Sequence, residues 1–76
     1  MKYQSAQEAP SIYTIKVKGY VSQNIADNMG LVVKHHEESE QPVTSLSGEV
    51  ADQAALLGIL NNLYGLGFSL MAFENH

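Results

Sequence analysis

The chain has no cysteine, no arginine, only two prolines, and no apolar run long enough to cross a bilayer. The missing cysteines exclude disulfides, thiolate zinc sites and thiol catalysis, and they leave the redox compartment unmarked. Four lysines stand against eight carboxylates, for a net charge of −4. Phosphate backbones are bound through Lys and Arg, so a nucleic acid is not the expected partner. A membrane span needs about 18 or more apolar residues, and a secretory signal needs an apolar core of about 7–15. Neither is present, and a cytoplasmic protein with no membrane partner is expected. Residues 1–11 are polar around Pro10 and are expected to form a flexible leader to a single domain, 12–76.

What is there suffices for a small core. The 76 residues are 45% apolar and 16% charged. A domain of this size buries only about 60% of its unfolded surface and is one for which self-association commonly adds stability.

The stretch Tyr13-Thr14-Ile15-Lys16-Val17-Lys18-Gly19-Tyr20-Val21 alternates with period two, the mark of a half-buried strand. Ser22 can cap a short helix over 23–29, ended by Gly30; an irregular loop is the alternative. Leu31–His36 is rich in β-branched residues and reads as a second strand. Residues 37–42 form a turn, and Val43–Val50 returns as a third strand, with Thr44, Leu46, Gly48 and Val50 on one face. Asp52 opens the clearest helix, in which Leu56, Ile59, Leu60 and Leu63 form one stripe and Gly65 or Gly67 ends it. Phe68–Glu74 is a last strand, apolar on both faces.

This order predicts an α+β, ferredoxin-like βαββαβ fold. Its four-stranded antiparallel sheet has the strand order fourth, first, third, second, with both helices on one face and the first helix short. A ββαβ sheet with residues 22–30 as a loop is the runner-up. The expected core is Ile15, Val17, Val33, Leu46, Leu56, Ile59, Leu60, Leu63 and Leu70.

Leu46-Ser47-Gly48-Glu49-Val50-Ala51-Asp52-Gln53-Ala54-Ala55-Leu56-Leu57-Gly58-Ile59-Leu60 resembles a family of small uncharacterised bacterial proteins. Their pattern is L-x-G-x-V-x-D-Q-A-A-L-x-G-L-L, followed by a Leu-Gly turn, here Leu66-Gly67, and a last strand. The resemblance covers most of residues 12–74. The chain departs from it in Asn24–Met29, where the family often has aromatics, and in Asn61-Asn62-Leu63-Tyr64, where the family often has charges. The resemblance implies a bacterial, cytoplasmic, single-domain protein and carries no reaction.

Three groupings invite chemistry. His35-His36-Glu37-Glu38 has metal-ligand residue types, but strand neighbours point to opposite faces and two ligands are too few. Asp52-Gln53 sits at a helix start, where Asp52 reads as a cap, since Glu49 and Asp52 disfavour an anion. Tyr13, Tyr20, Phe68 and Phe73 could mimic an RNA-stacking platform, but Lys18-Gly19-Tyr20 is only a faint echo of its signature and the net charge is negative. Ser47 has no spaced histidine partner. No catalytic residue, metal site or cofactor is therefore expected, and the chain is not read as an enzyme.

The function expected is a protein-interaction or self-assembly module, with a homodimer or an unidentified protein as partner. Tyr20, Val32, Met71 and Phe73 are expected to share the open face of the sheet as its interaction surface. Dimerisation through the Phe68–Phe73 edge and stacking of two open faces both remain open. The competing class is a small-ligand sensor using Gln53, Asn61 and Asn62.

Overall fold

The computed structural model describes residues 10–76. The expected leader lies outside the described residues except for Pro10 and Ser11, and Ser11 already begins the first strand. The elements are β1 (Ser11–Lys18), α1 (Gln23–Asp27), β2 (Val32–Glu38), β3 (Gln41–Val50), α2 (Gln53–Gly65) and β4 (Ser69–Asn75). The sheet order is β2-β3-β1-β4, and every neighbouring pair is antiparallel. This is the expected ferredoxin-like α+β arrangement, with a short first helix.

Local chemistry sets the boundaries. The Ser22 side chain accepts from the Ile25 N–H at 3.3 Å, and the Asp52 side chain accepts from the Ala55 N–H at 2.8 Å. Each thereby satisfies one of the free donors of a helix start. Both helices also stop alike. The Leu31 N–H donates to Ala26 O and the Gly30 N–H to Asp27 O; the Phe68 N–H donates to Leu63 O and the Gly67 N–H to Tyr64 O. These nested bonds need a left-handed residue, which Gly30 (φ 73°) and Gly67 (φ 98°) supply. Each leaves an apolar residue, Leu31 or Phe68, folded back towards the core.

The expected turn over 37–42 contracts to two residues. Ser39 and Glu40 have φ of 52° and 66°, the pair of positive values that a tight type I′ hairpin requires. Strands β2 and β3 therefore pair as far as Glu38 opposite Gln41.

One apolar cluster lies on one face of the sheet. Ile15, Val17, Leu46 and Val50 from the strands join Val21, Ala26, Leu31, Leu56 and Leu63. At Gly48 the chain passes close beneath: an added Cβ would meet the Gly30 carbonyl oxygen at 2.9 Å and the Leu31 side chain at 2.8 Å. Only glycine lets the residues after α1 lie flat on β3.

The core differs from the expected one at its margins. Val33, Ile59 and Leu60 pack against it but are only partly buried, and Leu70 is 52% exposed. Leu70 lies opposite Val17, yet it belongs to an edge strand beyond the buried row of α2, which is Leu56 and Leu63. Val21, Ala26 and Leu31 take its place, because the segment around α1 folds tightly onto the sheet. Thr44 is fully buried and both roles of its hydroxyl are used: it accepts from the Val21 N–H at 3.0 Å and donates to Gly19 O at 2.7 Å.

Candidate functional site

Residues directly opposite in an antiparallel pair share a face, so the register sorts the side chains of the sheet. The face away from the helices carries Thr14, Lys16 and Lys18 from β1, Ser45 and Ser47 from β3, Val32, Lys34, His36 and Glu38 from β2, and Ala72 and Glu74 from β4. This face is mostly polar and internally paired. Lys16 Nζ lies 2.6 Å from Glu38 Oε2, and His36 Nε2 lies 3.6 Å from the same oxygen. The hydrogen bond from Lys16, with the positive charge behind it, holds the Glu38 carboxyl below the usual carboxylate range, against a smaller opposing effect of desolvation. Thr14 Oγ1 lies 3.1 Å from Ser47 Oγ and 2.9 Å from His76 Nε2.

A shallow depression of about 280 Å³ lies among Thr14, Lys16, Ser45, Ala72, Phe73 and Glu74. Its one cation is already engaged by Glu38, and Glu74 repels anions. Gln53, Asn61 and Asn62, the amides considered for a ligand sensor, do not line it.

The two neighbouring histidines separate as strand geometry requires. His36 is opposite Val43 on the polar face, and His35 is opposite Thr44 on the helix side. His35 stacks on Tyr20 with ring centroids 4.1 Å apart, and its Nε2 lies 2.6 Å from Val21 O. A carbonyl only accepts, so His35 holds its proton on Nε2. Among the described residues no group of three or more His, Asp or Glu is arranged around a metal position.

The four residues expected to form one apolar surface do not share a face. Val32 is on the polar face, opposite Ser47. Tyr20 follows β1 and covers His35. Met71 is the extra residue of a bulge, since Lys16 is opposite Ala72 and Val17 opposite Leu70. The bulge inverts the alternation beyond it, so Phe73 lies opposite Ile15 on the helix side, where its ring meets Tyr13 at 6.2 Å between centroids. Strict alternation cannot foresee a bulge, and this is why Phe73 changes sides.

The exposed apolar surface lies instead along α2 and β4. Every residue of β4 is exposed, including Leu70, Met71 and Phe73, and Leu57, Tyr64 and Leu66 are exposed on and after α2. The sequence signal for it is a charge-free run: from Gln53 through Phe73 no residue is Asp, Glu, Lys, Arg or His. A surface helix normally carries charges on its outer side, and α2 has none.

No curated protein matches the chain, and no solved structure matches it. A family model described as "Domain of unknown function (DUF8691)" matches residues 12–74, and the chain belongs to that family.

Proposed function

We propose that this DUF8691 domain is a self-assembling protein-interaction module, in which the outer edge of β4 pairs with that of a second copy across a two-fold axis. The observation that carries this reading is β4 itself. It has one neighbouring strand, it is exposed at every residue from Ser69 to Asn75, and it bears three exposed large apolar side chains. Edge strands are commonly guarded by lysine, proline or a bulge. Here the bulge at Met71 is the one guard before Glu74. Antiparallel pairing of a strand with its own copy is self-complementary, as a two-fold interface demands. The uncharged α2 extends the same surface, so that pairing at β4 would also withdraw apolar helix surface from water. Stacking of two open faces is less favoured, because that face carries three lysines and Phe73 is on the other side.

Light scattering over a wide concentration range tests the proposal. The expected mass approaches about twice 8.3 kDa in the parent and stays near 8.3 kDa in Leu70→Lys, a substitution at an exposed position. A parent that remains near 8.3 kDa throughout overturns it.

A further inference from the structure

We infer that Gln23 is a plug on the outer edge of β2, which keeps the β4 strand of another copy off that side of the sheet and makes association close at two copies. The inference rests on the β4 reading for its occupant, and on separate atoms for the plug. An edge strand receives a new strand through outward N–H and C=O groups, and main-chain hydrogen bonds supply the affinity. At the start of β2 those groups are Leu31 O and the Val33 N–H. Both are taken by one side chain: Gln23 Nε2 donates to Leu31 O at 3.0 Å, and Gln23 Oε1 accepts from the Val33 N–H at 3.1 Å.

The primary amide thus makes the two-bond bracket around Val32 that one residue of an added parallel strand would make with its own N–H and C=O. It is also held in place. Gln23 is the first residue of α1, and its remaining amide proton goes to Asp27 Oδ1 at 2.7 Å, one helical turn later. Donor and acceptor atoms are both engaged, so an arriving strand must displace bonds already formed. Further along the edge Lys34 and Glu37 are exposed, which adds the charge that disfavours pairing.

The plug matters because of symmetry. Pairing β4 with β4 is isologous and finishes with two copies, whereas pairing β4 with β2 is head-to-tail and continues past two copies into a ring or an open filament. With Gln23 in place only the first is open. Without it, the exposed apolar β4 of one molecule has a second receptive edge to join.

Sedimentation velocity on the full chain over a concentration series, with Gln23→Ala and Gln23→Glu beside the parent, tests this. Gln23→Glu keeps the side-chain length and a good helix-start residue but cannot donate to Leu31 O, so it serves if the alanine variant does not fold. The expected result is a parent mass that levels at two copies and variant masses that keep rising past two. Exchange of the Val33 amide, measured under dilute conditions, is expected to be about tenfold faster in Gln23→Ala, the loss of one hydrogen bond of ordinary strength, whereas the carboxylate of Gln23→Glu can still accept from Val33 and that variant is judged by its mass. A folded variant that keeps the parent's two-copy mass ceiling overturns the plug, whatever its Val33 exchange. A parent that stays a single copy overturns the β4 reading instead; the plug then stands if the variants associate, and falls if they do not.

Discussion

The two edges of this sheet are built differently. Along β2, the chain between β1 and α1 is fastened down by side chains: Thr44 holds Gly19 O and the Val21 N–H, His35 holds Val21 O, and Gln23 brackets Leu31 O and the Val33 N–H. Leu31 is 2% exposed beneath them. Along β4 the ladder to β1 is interrupted by a bulge and Leu70, Met71 and Phe73 remain in water. The contrast teaches that a short helix can guard an edge better than a long one. The five residues of α1 deliver one amide to the edge and bury Ala26, while the thirteen of α2 bury only Leu56 and Leu63. A free edge beside an uncharged helix is the surface that the proposed pairing would cover.

The sharpest way to break the comparison is to truncate one leucine at each edge. Leu31→Ala removes a fully packed side chain and is expected to cost about 2–5 kcal/mol, through lost transfer energy and a residual cavity. Leu70→Ala, at 52% exposure, is expected to cost less than about 1 kcal/mol in dilute solution. Urea denaturation of both variants below the association range measures the difference. Equal losses would mean that β4 is packed as well as β2.

That pair also marks how far the sequence could be read. Alternation in Tyr13–Val21, the polar turn and the Leu56/Leu63 stripe suffice for strand order and helix placement, because burial on one face enforces those periods. Leu70 was expected in the core and Leu31 was not. In a strand apolar on both sides, alternation does not say which residues are covered, and the bulge at Met71 then moves Phe73 to the helix side. Leu31 is buried by a helix stop, in which the residue after Gly30 folds inward. The role of Gln23 has no local pattern at all, since its partners depend on where α1 lands on the sheet. The charge-free run from Gln53 to Phe73, by contrast, is plain in the sequence and is the mark of the α2–β4 surface.

A milder test compares two threonine hydroxyls. Thr44→Val keeps shape but orphans the buried Val21 N–H and the Gly19 carbonyl. Each such group costs about 1–3 kcal/mol when left unpaired, and with some relaxation at the sheet end the expected loss is about 2 kcal/mol. Thr14→Val, on the polar face nearer β4, breaks contacts with Ser47 and His76 that water can replace, and is expected to stay within about 0.5 kcal/mol. Thermal melting of the two variants ranks them. A Thr44→Val protein as stable as the parent would show that the segment over β2 is not held by that hydroxyl.

The smallest effect is a pH dependence confined to the β2 side. Lys16 in β1 reaches across β3 to Glu38 in β2, so this one pair ties three strands, and β4 is not among them. Because Lys16 donates to it and His36 stands near, Glu38 has a lower carboxyl pKa in the folded chain than in the unfolded one. A carboxylate of this kind binds its proton more readily when unfolded. Its contribution is therefore fully present above the unfolded value and is lost as the pH falls through the lowered, folded one. The pair is open to solvent and screened, so its effect is modest and shrinks further in high salt. Urea midpoints from neutral pH down to pH 3 for the parent and Lys16→Met isolate it. The parent is expected to lead at neutral pH, by more at low salt than at high, and the two curves are expected to converge as the pH falls through the lowered, folded value. Curves that run parallel over the whole range would show that Glu38 does not draw its stabilisation from Lys16, and the three-strand tie would then be removed from the account of why β2 is the firmer edge.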